Sequence, residues 1–205
     1  MPDRGIVVCL AAALVVATGC ALLSPLVTTN WSENYALDAN GGVANVPELN
    51  DGKTTTVANT HPKSDPREFV IEFPEPKQVR RIRIANQNLY RFSISYWDEA
   101  RSEWRVLRTV WQRRDVDSYE RSIQPVFDFT HINLSTTKIK ITVTRTVEDR
   151  IVNKVAPVPG DKIIEHVQRT IAGTWVEFWR VIVESPARVR EVEVYGVLPK
   201  RDTGS

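Results

Sequence analysis

Thr137-Lys138-Ile139-Lys140-Ile141-Thr142-Val143-Thr144 places an apolar side chain at every second position from Ile139 to Val143. Successive side chains of an extended chain point to opposite faces, so this run is a strand with one buried and one wet face. The same period appears upstream in Glu68-Phe69-Val70-Ile71-Glu72-Phe73, which Pro74-Glu75-Pro76 interrupts. From Val79 to Ala85 it sets Ile82 and Ile84 on one side, with Arg81 and Arg83 on the other. Tyr90 to Trp97 gives Phe92, Ile94 and Tyr96 a common face, and Trp104 to Val110 follows the polar turn 98–103. Many short β-branched strands separated by polar turns specify an all-β, antiparallel β-sandwich of jelly-roll type.

Residues 147–184 are long for a connection and carry their own apolar pattern, so they read as a structured insertion before the last strand. Ile164, Val167, Ile171, Trp175, Phe178, Trp179 and Ile182 fit helical spacing, but Gly173 sits mid-run and β-branched residues crowd 175–183. The expectation is an extended hairpin turning near Ala172-Gly173, with a helix as the alternative.

Asn50-Asp51-Gly52-Lys53-Thr54-Thr55-Thr56 and Arg190-Glu191-Val192-Glu193-Val194-Tyr195-Gly196 stand near opposite ends of this sandwich. The first is an Asp-Gly turn followed by hydroxyls. The second is a period-2 strand whose carboxylates share one face. Calcium takes six to eight oxygens, more than one short loop offers, so the two stretches read as halves of one cation-stapled domain. An ordinary turn and a solvent-facing glutamate is the plainer reading of the same residues.

The chain opens on Gly5 to Val16, an almost purely apolar run behind Arg4, which reads as a secretory signal peptide over residues 1–19. Ala17-Thr18-Gly19-Cys20 resembles a bacterial lipobox, with Cys20 the lipidated residue and 20–29 a tether. Ordinary cleavage or an uncleaved anchor are the alternatives, since the apolar character continues towards the ~20 residues a membrane span needs. Each exports the body to an extracytoplasmic, membrane-anchored or envelope location. Of the two cysteines, Cys9 leaves with the signal and Cys20 would be acylated, so the domain at 30–198 stands on its core without a disulfide. Residues 199–205 read as a disordered tail. A formal net charge of +2 argues against nucleic acid as the main partner.

The order of these motifs resembles the discoidin, or coagulation factor V/VIII type C, domains and their bacterial carbohydrate-binding relatives, galactose-binding-like jelly rolls. The matching pieces are Asp51-Gly52 with Thr56, Pro66 to Phe73 with Glu72 as the acid, Val79 to Ile84, Tyr90 to Trp97 with Trp104, and Glu191 to Gly196. The resemblance implies a structural calcium ion held by side-chain oxygens of Asp51, Thr56 and Glu191, with backbone carbonyls near Glu48, Lys53 and Arg190. It also implies carbohydrate recognition by loops at one end of the barrel, which here are 59–67, 86–90 and 111–119. Asn59, His61, Asn86, Asn88 and Trp111 are the ligand-binding candidates, and Trp104 is expected in the core. One departure is Ala58, where the family usually has tryptophan.

Catalytic signatures do not appear. The three histidines are scattered, and there is no nucleophile elbow, phosphate loop or free thiol nucleophile. The sequence therefore reads as a non-catalytic module that recognises a glycan or envelope polymer. The alternative is an assembly lipoprotein docking an envelope protein through Trp175, Phe178 and Trp179; a shared scaffold does not decide between them.

Overall fold

The computed structural model describes residues 29–61, 65–112, 123–159 and 161–199. The expected signal peptide, Cys20, the tether up to residue 28 and the tail from residue 200 lie outside the described residues, as does 113–119 of the third expected ligand loop. Residues 32–196 form one compact unit, while Trp31 and Val197 belong to a second. In that second unit the two pair in an isolated antiparallel bridge, and the Leu198 N–H donates to Asn30 O at 2.9 Å.

The strands of the larger unit are β1 (Val43–Ala44), β2 (Ala58–Asn59), β3 (Arg67–Val79), β4 (Arg81–Asn86), β5 (Leu89–Asp98), β6 (Glu103–Trp111), β7 (Val126–Phe129), β8 (Leu134–Thr146), β9 (Arg150–Lys154), β10 (Lys162–Ile171), β11 (Thr174–Val183) and β12 (Arg188–Tyr195). Among the described residues they form a five-stranded sheet in the order β1-β3-β8-β5-β6, a four-stranded sheet β2-β12-β4-β7 and a three-stranded sheet β10-β11-β9. All pairings are antiparallel.

The first two sheets make the sandwich. Alternation sends Phe69 and Ile71 of β3, Phe92 and Ile94 of β5, and Ile139, Ile141 and Val143 of β8 inward from one side. Ile82 and Ile84 of β4, Phe127 of β7 and Val189, Val192 and Val194 of β12 meet them from the other. Phe92 and Phe127 touch edge to face across the core with centroids 5.0 Å apart. Each fully buried side chain of this size stabilises the fold by roughly 1.5–3 kcal/mol. Pro74-Glu75-Pro76 does not end β3, but the pairing with β8 shifts register between Glu72 and Lys77, where the prolines withhold ladder donors.

Ala58, the departure from the family pattern, is fully buried beside Val189. Trp104 departs from its expected core position. It pairs across strands with Trp97, the rings meeting edge to face at 5.5 Å, with Lys140 Nζ 4.6 Å above its ring. Both tryptophans are half-buried because β5 and β6 turn these positions away from the sandwich interior and the rings shield each other.

The insertion is the expected hairpin rather than a helix. Ala172 (φ 50°) and Gly173 (φ 81°) form its turn, the two-residue positive-φ geometry that suits the twist of a hairpin. β9 adds a third strand along β11. A buried ionic knot fastens the base of this sheet to the sandwich. Arg67, at the start of β3, donates to Asp149 Oδ1 at 2.9 Å and Oδ2 at 3.1 Å, and also to Ser185 O, Thr144 O and Glu184 Oε1.

Candidate functional site

The 51–56 turn lies against β12. Asp51 Oδ1 accepts from the Lys53 N–H at 2.8 Å, and Thr56 Oγ1 lies 3.0 and 2.9 Å from the two Asp51 carboxylate oxygens and 2.8 Å from Lys53 O. Gly52 takes φ 77° at the corner, a left-handed conformation that glycine adopts without steric cost. Before it, the Asn50 side-chain amide, 2 % exposed, donates to Ala36 O and Gly42 O and holds the loop down. Arg190 Nη1 reaches over to Thr54 O at 3.1 Å.

Glu191 and Glu193 share the face of β12 expected for them, pairing across to Ala85 and Arg83 of β4. Their surroundings differ. Glu193 is compensated by Arg83 at 2.7 Å and by the Tyr195 hydroxyl at 2.9 Å. Glu191 is only 3 % exposed, and its Oε2 finds no hydrogen-bond partner. Burial first, and then the charge of Asp51, push its carboxyl up to about 7, against the opposing pull of the Gly52 and Lys53 N–H groups.

Asp51, Lys53, Thr56 and Glu191 thus come together as the sequence anticipated. Among the described residues no three His, Cys, Asp or Glu side chains converge. A cation here would be held by two carboxylates, a hydroxyl and backbone carbonyls, an all-oxygen set suited to calcium. The orphaned, buried Glu191 oxygen beside a second carboxylate is where a divalent cation fits. The Glu48 side chain is exposed and the Arg190 guanidinium reaches Thr54 O, so at both positions it is the backbone carbonyl, as expected from the sequence, that would serve as a ligand.

The loop end of the sandwich gathers the last residues of β2, β4, β6 and β8 and the first of β5 and β12. There the Thr60 N–H donates to Ala187 O, Asn88 N–H to Arg188 O and Val147 N–H to Asn88 O. Two of the expected ligand groups prove to be braces for this end. Asn86, 5 % exposed, gives both amide hydrogens to Leu89 O and Gln124 O and accepts from the Leu89 N–H. Asn88, 1 % exposed, donates to Pro186 O and accepts from the Arg188 N–H. Their positions after a strand looked like rim amides in the sequence, but backbone groups of the turn itself claim Asn86, together with Gln124 O, and those of the chain entering β12 claim Asn88.

Trp111 is 65 % exposed at the end of β6. The Arg91 guanidinium, which the sequence reading did not single out, sits 4.4 Å from its ring centroid; the β5–β6 register makes them direct cross-strand partners. Asn59 and His61 are exposed on the chain leaving β2, Asn59 donating to Val57 O.

The aromatics of the insertion do not form one patch. Trp175 and Trp179 lie on one face of β11 by alternation, and Phe178 lies on the other opposite Val167.

No family model and no curated protein matches this chain. Solved structures of similar shape include the family 32 carbohydrate-binding module of Clostridium perfringens NanJ in complex with galactose. It is 14 % identical, with 76 % of this chain and 92 % of that one covered and a TM-score of 0.46. Chitosan-binding module 1 from the chitosanase/glucanase of Paenibacillus sp. IK-5 is 14 % identical over 80 % of this chain and 100 % of the module, TM-score 0.49. The family 32 module of Streptococcus pneumoniae EndoD is 11 % identical over 80 % and 99 %, TM-score 0.48. The structural neighbours of this chain are thus family 32 carbohydrate-binding modules and similar small sugar-binding domains.

Proposed function

We propose that the chain is an exported, non-catalytic carbohydrate-binding module, tethered to a membrane through Cys20, whose loop end recognises a glycan. Trp111 carries this reading. A large indole left two-thirds in water at a strand end, with a guanidinium bracing one side of the ring, offers its remaining surface for stacking against the C–H face of a sugar. Arg91 beside it supplies N–H groups that can bridge hydroxyls, while the exposed His61 and Asn59 belong to the chain at β2 on the other sheet.

In this reading a calcium ion sits among Asp51, Thr56, Lys53 O and Glu191. It neutralises two carboxylates and pins the 51–56 turn to the last strand. The residues do the positioning: Asn50 and Arg190 hold the turn in place, while β12 carries Glu191 beneath it. By linkage, calcium at ~1,000 times its dissociation constant would stabilise the fold by about 4 kcal/mol.

The test is a glycan-array screen of the full chain in detergent, with calcium and with chelator. Binding to a defined set of glycans, weakened at least tenfold by Trp111→Ala, supports the reading. Binding to no glycan under either condition overturns it.

A further inference from the structure

The β10–β11 hairpin carries a row of side chains that neither the core nor the loop end uses. Its register sets His166 opposite Trp179, Gln168 opposite Glu177 and Thr170 opposite Trp175, and alternation places all of them on one face. His166 lies flat on Trp179, ring centroids 3.9 Å apart and planes 8° from parallel. Its Nε2–H donates to Glu177 Oε1, and Gln168 Nε2 reaches the same oxygen at 3.4 Å. Among the described residues Glu177 Oε2 has no partner, and Trp175, 62 % exposed, has neither a hydrogen bond nor a ring contact.

The cations around this face have other partners. Lys154, beside Trp179 on β9, is committed to Asp161 at 2.7 and 2.9 Å. Arg180 is engaged by Glu165 on the opposite face. Glu177 therefore keeps one acceptor oxygen open to solvent next to an exposed indole. Trp175 and Glu177 are two residues apart on one strand, about 7 Å, which is the reach of one sugar ring with its substituents. The chemistry suits a pyranose: C–H groups stack on the indole, one hydroxyl donates to the carboxylate and a neighbouring hydroxyl accepts from the glutamine amide.

We propose that this face is a second carbohydrate site, with Trp175 as the stacking platform and Glu177 and Gln168 as the hydroxyl partners of one pyranose. It rests on the loop-end reading only in sharing its ligand class, since the two sites use different sheets. The face is open and flat, so a single sugar binds weakly. A protein partner using the insertion's aromatics would want them on one side, whereas Phe178 faces away from Trp175.

The test uses the full chain in detergent, labelled with 5-fluorotryptophan and titrated with the methyl glycosides of glucose, galactose, mannose and N-acetylglucosamine. Each resonance is assigned by a Trp→Phe substitution. The Trp175 resonance is expected to move saturably with at least one glycoside, to move still in Trp111→Ala, and to stop moving in Glu177→Ala while the Trp31, Trp97, Trp104 and Trp111 resonances keep their native positions; Trp179 is no control, because the His166 stacked on it bonds to Glu177. A Trp175 resonance that ignores every glycoside overturns the site: if Trp111 responds, the loop-end reading survives alone, and if neither responds, both fall. A Trp175 resonance that shifts on dilution without sugar shows a contact between copies of the chain and likewise overturns the proposal.

Discussion

Arg67 and Asp149 form a bidentate ion pair whose side chains are 4 % and 0 % exposed, at the junction of the sandwich and the inserted sheet. Asp149 also accepts from the Thr146 N–H and hydroxyl and from the Ser185 N–H, so every strong acceptor direction is used. Removing Arg67 leaves the Asp149 charge buried with only Arg145 Nε, 3.9 Å away, as a distant countercharge. Arg67→Ala is expected to cost about 3–5 kcal/mol in urea unfolding. A loss below about 1 kcal/mol would show that the knot is not a fastening.

The same pair sets the acid limit of the fold. Burial alone would raise the Asp149 carboxyl, but the Arg67 guanidinium, the Ser185 and Thr146 N–H groups and the Thr146 hydroxyl outweigh it and hold it below the ordinary aspartate range. A depressed carboxyl contributes stability that is present above its unfolded value, near 4, and is lost as pH falls through the folded value. Unfolding free energy should therefore drop steeply below about pH 4, and Asp149→Asn should flatten that drop while lowering stability at pH 7. An equally steep acid limb in the variant would contradict this.

Asn86 serves as a structural brace whose loss should appear in stability before it appears in binding. Asn86→Ala removes two hydrogen bonds within the β4–β5 turn and a third to Gln124 O and leaves buried backbone groups unmet, so a loss of about 1–3 kcal/mol is expected. Thermal melting measures it. A variant as stable as the parent, but with glycan binding abolished, would return Asn86 to the ligand rim.

The strands were legible because their pattern is strict: Phe69-Val70-Ile71, Phe92 to Ile94 and Ile139 to Val143 each alternate, and each landed with the expected face inward. The hairpin at Ala172-Gly173 was legible from its turn residues. Trp104 was not, because periodicity says which residues share a face but not which face is buried once two tryptophans can cover each other. Asn86 and Asn88 were misread for a related reason, since a turn asparagine facing neighbouring backbone and one facing a ligand look alike in sequence. The Arg91–Trp111 and Gln168–Glu177 pairings depend on strand register, which bulges such as the one between Ile94 and Ser95 reset. Asp51 and Glu191 do lie close together, as the order of the Asp-Gly turn and the closing strand led one to expect.

Melting the protein at two pH values, with calcium and with chelator, tests the joining of those two carboxylates most directly. Without a cation, Glu191 is held up at about 7. A raised carboxyl contributes stability that is fully present below the ordinary glutamate range and is lost as pH rises through the folded value. The chelated protein should therefore melt several degrees lower at pH 8 than at pH 5.5, at roughly 2–4 °C per kcal/mol for a domain of this size. Calcium should raise the pH 8 melting temperature, and Glu191→Gln should remove both the calcium response and the pH difference. A melting temperature at pH 8 that is the same with calcium and with chelator would contradict a cation bound between Asp51 and Glu191.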